Sequence, residues 1–224
     1  MTDIRTNVER VRERIARAAE RAGRRASDVT LIGVSKTVDV DRIRQAIDAG
    51  LTALGENRVQ EAKAKVATLG RPVPWHLIGH LQTNKVKDAL ELFDVVHSLD
   101  RWPLADALQR RAAASGRDVD ALIEVNLAGE AAKSGVAPDA VGELLERLHA
   151  LAHVRVRGLM AIPPVGTAED ARPWFRALRK LAETYGLAEL SMGMSADYET
   201  AIEEGATMVR VGTAIFGARP APPA

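Results

Sequence analysis

No cysteine occurs in the 224 residues, so disulfides, thiolate zinc sites and a cysteine nucleophile are all excluded. An excess of one charge is missing as well. The 31 Lys and Arg side chains stand against 30 Asp and Glu, for a formal net charge of +1. Nucleic-acid binders as a rule carry a basic excess or stripe, and no such partner is expected here. No apolar run approaches the roughly 18 residues that would span a bilayer, and the N-terminus lacks the apolar core of a secretory signal. No membrane partner is expected, and the cytoplasm is the expected compartment. Nor does a Pro/Gly/Ser-rich stretch divide the chain, so residues 1–224 read as a single domain with a frayed tail at 220–224.

What is present is alternation. Residues 1–25 open with Ile4, Val8, Val11, Ile15, Ala18 and Ala22 at steps of four and three, one face of a helix. Its arginines are interleaved with acids, with Glu13–Arg17 and Glu20–Arg24 spaced as i, i+4 pairs, and read as a solvated face. Apolar runs of strand length then recur at 30–34, 53–55, 75–78, 95–98, 121–125, 154–160, 189–191 and 208–211. Amphipathic segments of helical length lie between them, at 40–49, 58–69, 83–90, 101–115, 138–151, 168–185 and 196–205. Such alternation argues for a parallel sheet covered by helices. Eight strands suggest a single α/β domain closed into a (β/α)8 TIM barrel with an extra N-terminal helix, in a chain shorter than the typical ~250 residues. The rival is an open doubly wound sheet. Against it, the first strand-to-helix turn, GVSKTVDVD, has no glycine-rich dinucleotide fingerprint.

In a barrel the functional loops follow the C-terminal ends of the strands. Nearly every expected strand end here carries polar or glycine-rich text. Lys36 stands out, because an ammonium group at the end of a buried strand is costly unless it is paired or neutralised. Either it reaches water or its amine does chemistry. Asn57 reads as an ordinary helix N-cap or as a site residue, and Glu56 as an acid favoured by a helix N-terminus. His76 and His80 are four apart but fall on a strand and turn, and no metal site is expected. Ser195 precedes one helical segment and Gly212-Thr213 opens another. Such turns can hold a phosphate on backbone N–H groups, and barrels commonly place one after strands seven and eight. The plainer alternative makes Gly212 and Gly217 turn glycines and the hydroxyls caps. Closure would set strand eight beside strand one, so that Lys36, Arg210 and the Gly212-Thr213 turn share one mouth. An amine, a guanidinium and a phosphate cradle suit a phosphorylated aldehyde held as a Schiff base, with the amine neutralised by nearby cations or desolvation. Pyridoxal 5′-phosphate (PLP) meets all three requirements. A barrel isomerase acting on a sugar phosphate would use the same lysine and turn.

The segments GVSKT, GENRVQE, WHLIGHLQTNK, HSLD, KSGV and LSMGMSADYETAIEEGATMVRVGTAIFG, spread in order over about residues 5 to 219, resemble the pyridoxal phosphate homeostasis proteins. These are relatives of the alanine racemase N-terminal barrel. The resemblance implies PLP as cofactor, Lys36 in the Schiff base, and Ser195, Gly212 and Thr213 on the phosphate. It further implies that Asn57 lies beside the cofactor, that Arg210 faces the pyridine nitrogen, and that Lys133 is a second lysine near the site. An arginine there can only donate, so the ring nitrogen stays neutral and the cofactor is a weaker electron sink. The related racemases add a second domain and an opposite-face tyrosine from a partner subunit. Here Tyr185 and Tyr198 lie on expected helices, and little chain follows strand eight. The expectation is therefore a monomeric PLP-binding homeostasis protein with no catalytic residues, which buffers the cofactor or delivers it to apo PLP-dependent enzymes. The alternative is an amino-acid racemase or other PLP enzyme that pairs Lys36 with a second base such as Lys133.

Overall fold

The strands are short and mostly buried on both faces, the pattern of parallel strands covered by helices. β2 (Ala53–Glu56), β3 (Trp75–Leu77) and β8 (Met208–Val211) are buried at every residue. β1 (Thr30–Val34), β4 (Val95–Leu99), β5 (Val119–Glu124), β6 (Val154–Met160) and β7 (Glu189–Met194) complete the sheet. In the computed structural model, which describes residues 3–218, each strand pairs in parallel with the next and β8 returns to β1 through Thr30↔Met208 and Gly33↔Val211. The barrel is closed, and the doubly wound alternative is overturned by that last pairing.

Helices α1 (Ile4–Arg21), α2 (Val40–Asp48), α3 (Val59–Leu69), α4 (Val86–Leu92), α5 (Trp102–Ser115), α6 (Val141–Leu148), α7 (Ala168–Thr184), α8 (Tyr198–Glu203) and α9 (Thr213–Phe216) form the outer layer. The expected helices at 83–90 and 138–151 each begin as a 3-10 turn, Thr83–Lys85 and Pro138–Ala140, before becoming α-helical. The N-terminal helix is shorter than 1–25. It starts on Asp3, whose side chain accepts from the Thr6 N–H, and ends at Arg21, before Gly23 at φ 66°. The Glu13–Arg17 pair forms, but the helix stops before Arg24 can reach back to Glu20. Arg24 instead donates to the carbonyls of Ile202 and Ala206 at the end of α8. Its neighbours Arg14 and Arg21 pair with Glu199 and Glu203 of α8, so this face is partly an interface rather than a solvated one. α1 packs on α8, α9 and α2, filling the place in the outer ring that the short α9 leaves over the β8–β1 seam. The tail expected to fray at 220–224 lies outside the described residues.

Most of the apolar core lies between strands and helices, around Leu54, Trp75, Leu77, Leu99 and Phe175. Inside the barrel, Ile32, Ala53, Leu122, Met160 and Met208 form a second, smaller cluster. Above it the lumen also carries the buried polar groups Arg210, Ser191, His97 and His76. No helix among the described residues is long and apolar enough to cross a membrane.

Candidate functional site

One cavity of about 290 Å³ opens at the C-terminal ends of β1, β2, β7 and β8. Lys36, Asn57, Ser195, Arg210, Gly212 and Thr213 all line it, together with Val34, Ile78 and Ile162. Its volume sits at the lower edge of the ~300–1,000 Å³ typical of small-molecule sites. The six residues come from four strand ends that are distant in sequence and adjacent only because the barrel closes.

The β7 and β8 ends converge on one oxygen. Ser195 Oγ accepts from the backbone N–H of Gly212 at 3.2 Å and of Ala214 at 3.4 Å. Ser195 is therefore not the cap of its own helix, which starts after Asp197. Its hydroxyl lies where two backbone donors point, the place an anionic oxygen would take. The β7 turn depends on Gly193, at φ 88°, where an added Cβ would come within 2.5 Å of Ala201 Cβ. The far end of α9 is tied down as well. Asn7 Nδ2 donates to the Ile215 carbonyl at 2.9 Å, and Arg42 donates to that of Phe216.

At the β1 end, Ser35 and Val38 close a tight turn through a backbone bond of 2.9 Å, and Lys36 sits within it at the cavity. Asn57 is not the N-cap of α3, a place held by Arg58 without a side-chain bond. The loop after β3 packs directly on Asn57. A Cβ at Gly79 would lie 2.5 Å from the Asn57 carbonyl oxygen, so only glycine fits there without movement. Glu56 does not serve the helix N-terminus either. It is fully buried and accepts from Ser35 Oγ at 2.7 Å and from the Lys65 ammonium at 2.5 Å. Burial pushes its carboxyl above the ordinary range, against the pull of those two donors.

Arg210 is buried in the lumen and held by three bonds. Nη1 donates to the Ser191 carbonyl at 2.7 Å and to Ser191 Oγ at 2.6 Å, and Nη2 to the Ala161 carbonyl at 3.0 Å. From Ser191 a chain crosses the barrel: Oγ to His97 Nδ1 at 2.9 Å, then His97 Nε2 to His76 Nδ1 at 2.8 Å. With Nη1 donating to it, the Ser191 hydroxyl keeps one hydrogen and one lone pair, so the chain can run in either direction, each neutral ring donating at one nitrogen and accepting at the other. Burial lowers His76 to about 4 and His97 well below its ordinary value, so both rings are neutral at neutral pH. Burial also brings Arg210 down to about 10, against Asp197 and Glu124, and it remains a cation.

Lys133 does not line the cavity. Its ammonium donates to Glu130 Oε1 at 2.6 Å and to the Pro163 carbonyl at 3.3 Å, tying the loop after β5 to the loop after β6. Tyr198 is buried on α8 and Tyr185 is part-exposed at the end of α7, neither lining the cavity. His76 and His80 do not meet: His80 faces Ser134 at 3.3 Å and Asp100 at 3.6 Å. No group of three or more His, Cys, Asp or Glu among the described residues is placed to hold a metal ion. Sequence reasoning missed Lys65, His97 and Ser191. The available signal was a charged or polar residue on an otherwise buried face.

The family model described as alanine racemase, N-terminal domain, matches residues 6–220. The chain is 50% identical over 218 residues to the pyridoxal phosphate homeostasis protein of Aquifex aeolicus, covering 94% of this chain and 96% of that one. It is 45% identical to the protein of the same name from Pseudomonas aeruginosa, over 98% of this chain and 97% of the other. The solved structure of PipY from Synechococcus elongatus with PLP bound superposes with a TM-score of 0.78 at 40% identity, covering 91% of this chain and all of that one. Alanine racemase of Clostridium difficile shares the fold, with a TM-score of 0.73 at 15% identity over 98% of this chain and 57% of the racemase. The chain belongs to the pyridoxal phosphate homeostasis protein family, built on the barrel of the alanine racemase N-terminal domain.

Proposed function

We propose that this chain, as a single domain spanning residues 1–224, binds PLP reversibly and serves its homeostasis inside the cell. The observation that carries the reading is the convergence of Lys36, Arg210 and the Ser195–Gly212–Ala214 cradle on one cavity. The donor set fits the cofactor: backbone N–H groups aimed at one oxygen for the phosphate, a primary amine for the aldehyde, and a fixed guanidinium that can only donate for the ring nitrogen. When bound, PLP supplies an aldehyde that the amine captures and a ring that can draw electrons from an attached carbon. In this reading Ser195, Gly212 and Thr213 would anchor the phosphate, Lys36 would present its amine to the aldehyde, Asn57 would flank the ring, and Arg210 would keep the ring nitrogen unprotonated.

A holding and delivery role to apo PLP-dependent enzymes, without turnover, is supported by the placement of the remaining bases. Lys133, the second base of a racemase reading, is engaged with Glu130 and Pro163 away from the cavity. The protein would act as a cytoplasmic monomer, which sedimentation and fractionation would check. Purified protein mixed with PLP should show a visible absorbance band, and borohydride should fix a pyridoxyl group on the peptide carrying Lys36. Absence of both rules out PLP binding through this lysine. Incubation of the loaded protein with L-alanine separates buffer from racemase, since D-isomer formed at a useful rate overturns the holding role.

A further inference from the structure

The turn that carries Lys36 is gripped from outside the barrel by an ion cluster that cofactor binding does not itself require. Lys65, on α3, is buried, and its ammonium spends three hydrogens on three acceptors. It donates to Glu56 Oε1 at 2.5 Å, to Glu61 Oε1 at 2.8 Å and to the carbonyl of Ser35 at 2.6 Å. Ser35 is the residue before Lys36. On the other side, the backbone N–H of Thr37 donates to the same Glu61 oxygen at 2.5 Å. Thr37 is the only non-glycine residue at positive φ among those described, at 63°. A β-branched side chain adopts that conformation only under constraint, so something must hold it there. Both peptide neighbours of Lys36 are therefore fixed by one cluster, built from the β2 end and α3. The phosphate cradle, built on the loops after β7 and β8, shares none of these bonds.

We propose that Glu56, Glu61 and Lys65 are positioning residues for Lys36: they lock the turn at 35–37 so that the lysine stays presented to the cavity. The cluster thereby sets how firmly an aldehyde is retained, separately from how firmly a phosphate is anchored. The alternative is a purely structural cluster that fastens α3 to the barrel. The strained Thr37 argues against it, because fastening α3 needs no bond to that N–H and no left-handed turn beside the lysine. The inference rests on Lys36 holding PLP.

The test compares two ligands that share the ring and phosphate and differ at one carbon: PLP, and 4-deoxypyridoxine 5′-phosphate, which has a methyl group in place of the aldehyde. Glu61 is part-exposed, so Glu61→Ala should fold, which a melting curve checks. Loss of a charge-assisted bond and release of a strained turn should weaken PLP binding about tenfold. The deoxy compound should change by less than about twofold, since its phosphate anchor is untouched. Glu61→Gln, whose amide oxygen still accepts from Thr37, should retain most of the PLP affinity. Adding Thr37→Gly to Glu61→Ala should speed the loss of the visible band on dilution beyond Glu61→Ala alone, because glycine leaves the turn free to wander. Equal weakening of both ligands, or unchanged PLP binding in Glu61→Ala, overturns the proposal. A wild-type protein that binds the deoxy compound but gives no visible band with PLP instead rejects the role of Lys36, and this inference with it.

Discussion

Replacing Lys65 by methionine keeps the length and roughly the volume of the side chain while removing its charge. In the native protein the Lys65 and Glu56 side chains are 8% and 0% exposed, so water does little to screen either. Without the ammonium, Glu56 keeps the Ser35 hydroxyl as its hydrogen-bond donor and stays fully buried. Removing one partner of a buried pair typically costs about 3–5 kcal/mol, because the other charge is left uncompensated. For a chain of this size that corresponds to a melting temperature lower by roughly 6–20 °C. The loss should depend on pH in a defined direction. Burial already raises the Glu56 carboxyl, and the Lys65 bond is the first effect that opposes it. The variant raises it further. A carboxyl whose folded pKa lies above its unfolded value favours the native state fully below the unfolded pKa, and that contribution is lost as pH rises through the folded pKa. The deficit of Lys65→Met should therefore be largest at alkaline pH and shrink on acidification, as the stranded acid protonates. Urea denaturation followed by circular dichroism across a pH series measures it, with Lys65→Met/Glu56→Gln recovering part of the loss at alkaline pH. A deficit that stays constant with pH, or a double variant no better than the single one, would refute the reasoning.

Gly79→Ala should destabilise the protein by about 1–3 kcal/mol and weaken PLP binding, because the overpacked contact is with backbone that cannot rotate away. The added Cβ would stand 2.5 Å from the Asn57 carbonyl oxygen and 2.8 Å from its Cα, and unchanged melting and affinity would contradict that close approach. Glu124 is pushed up to about 7, first by burial and then by Asp100, so it weakens the folded state as pH rises from its ordinary 4.5 through 7. Glu124→Gln should flatten that part of the stability profile, and a carboxyl titration by NMR with a midpoint near 4.5 would dismiss the effect.

The strands and the six cavity residues were legible because their signals are local: an apolar run, then polar or glycine-rich text at its end. Barrel closure supplied the missing proximity, since it requires β8 to lie beside β1 and so brings Arg210 and Gly212 to Lys36. The apolar run places the end of β7 at 191, yet the strand continues to Met194, with Gly193 allowing the chain to extend and then turn. The supporting polar residues were harder to see. Lys65 follows Ala62 on the buried side of α3, and a lysine there reads as an exposed residue slightly out of phase. His97 and Ser191 are 94 positions apart, so neither carries a local hint of the other. Their partners become visible only when the lumen is assembled, because buried polar groups are satisfied by tertiary neighbours rather than by sequence neighbours.

The β1–β8 seam also has a consequence for the order in which the protein is made. A ribosome delivers Lys36 with the first strand, but the cradle that would anchor a phosphate arrives with the loops after the seventh and eighth. A nascent chain ending at β6 contains Lys36 but neither Arg210 nor the residues of the cradle. Completion of the cavity is thus a late event in synthesis, tied to the same strand pairing that closes the fold. The cavity is complete only when β8 and the Gly212-Thr213 turn that follows it lie beside β1.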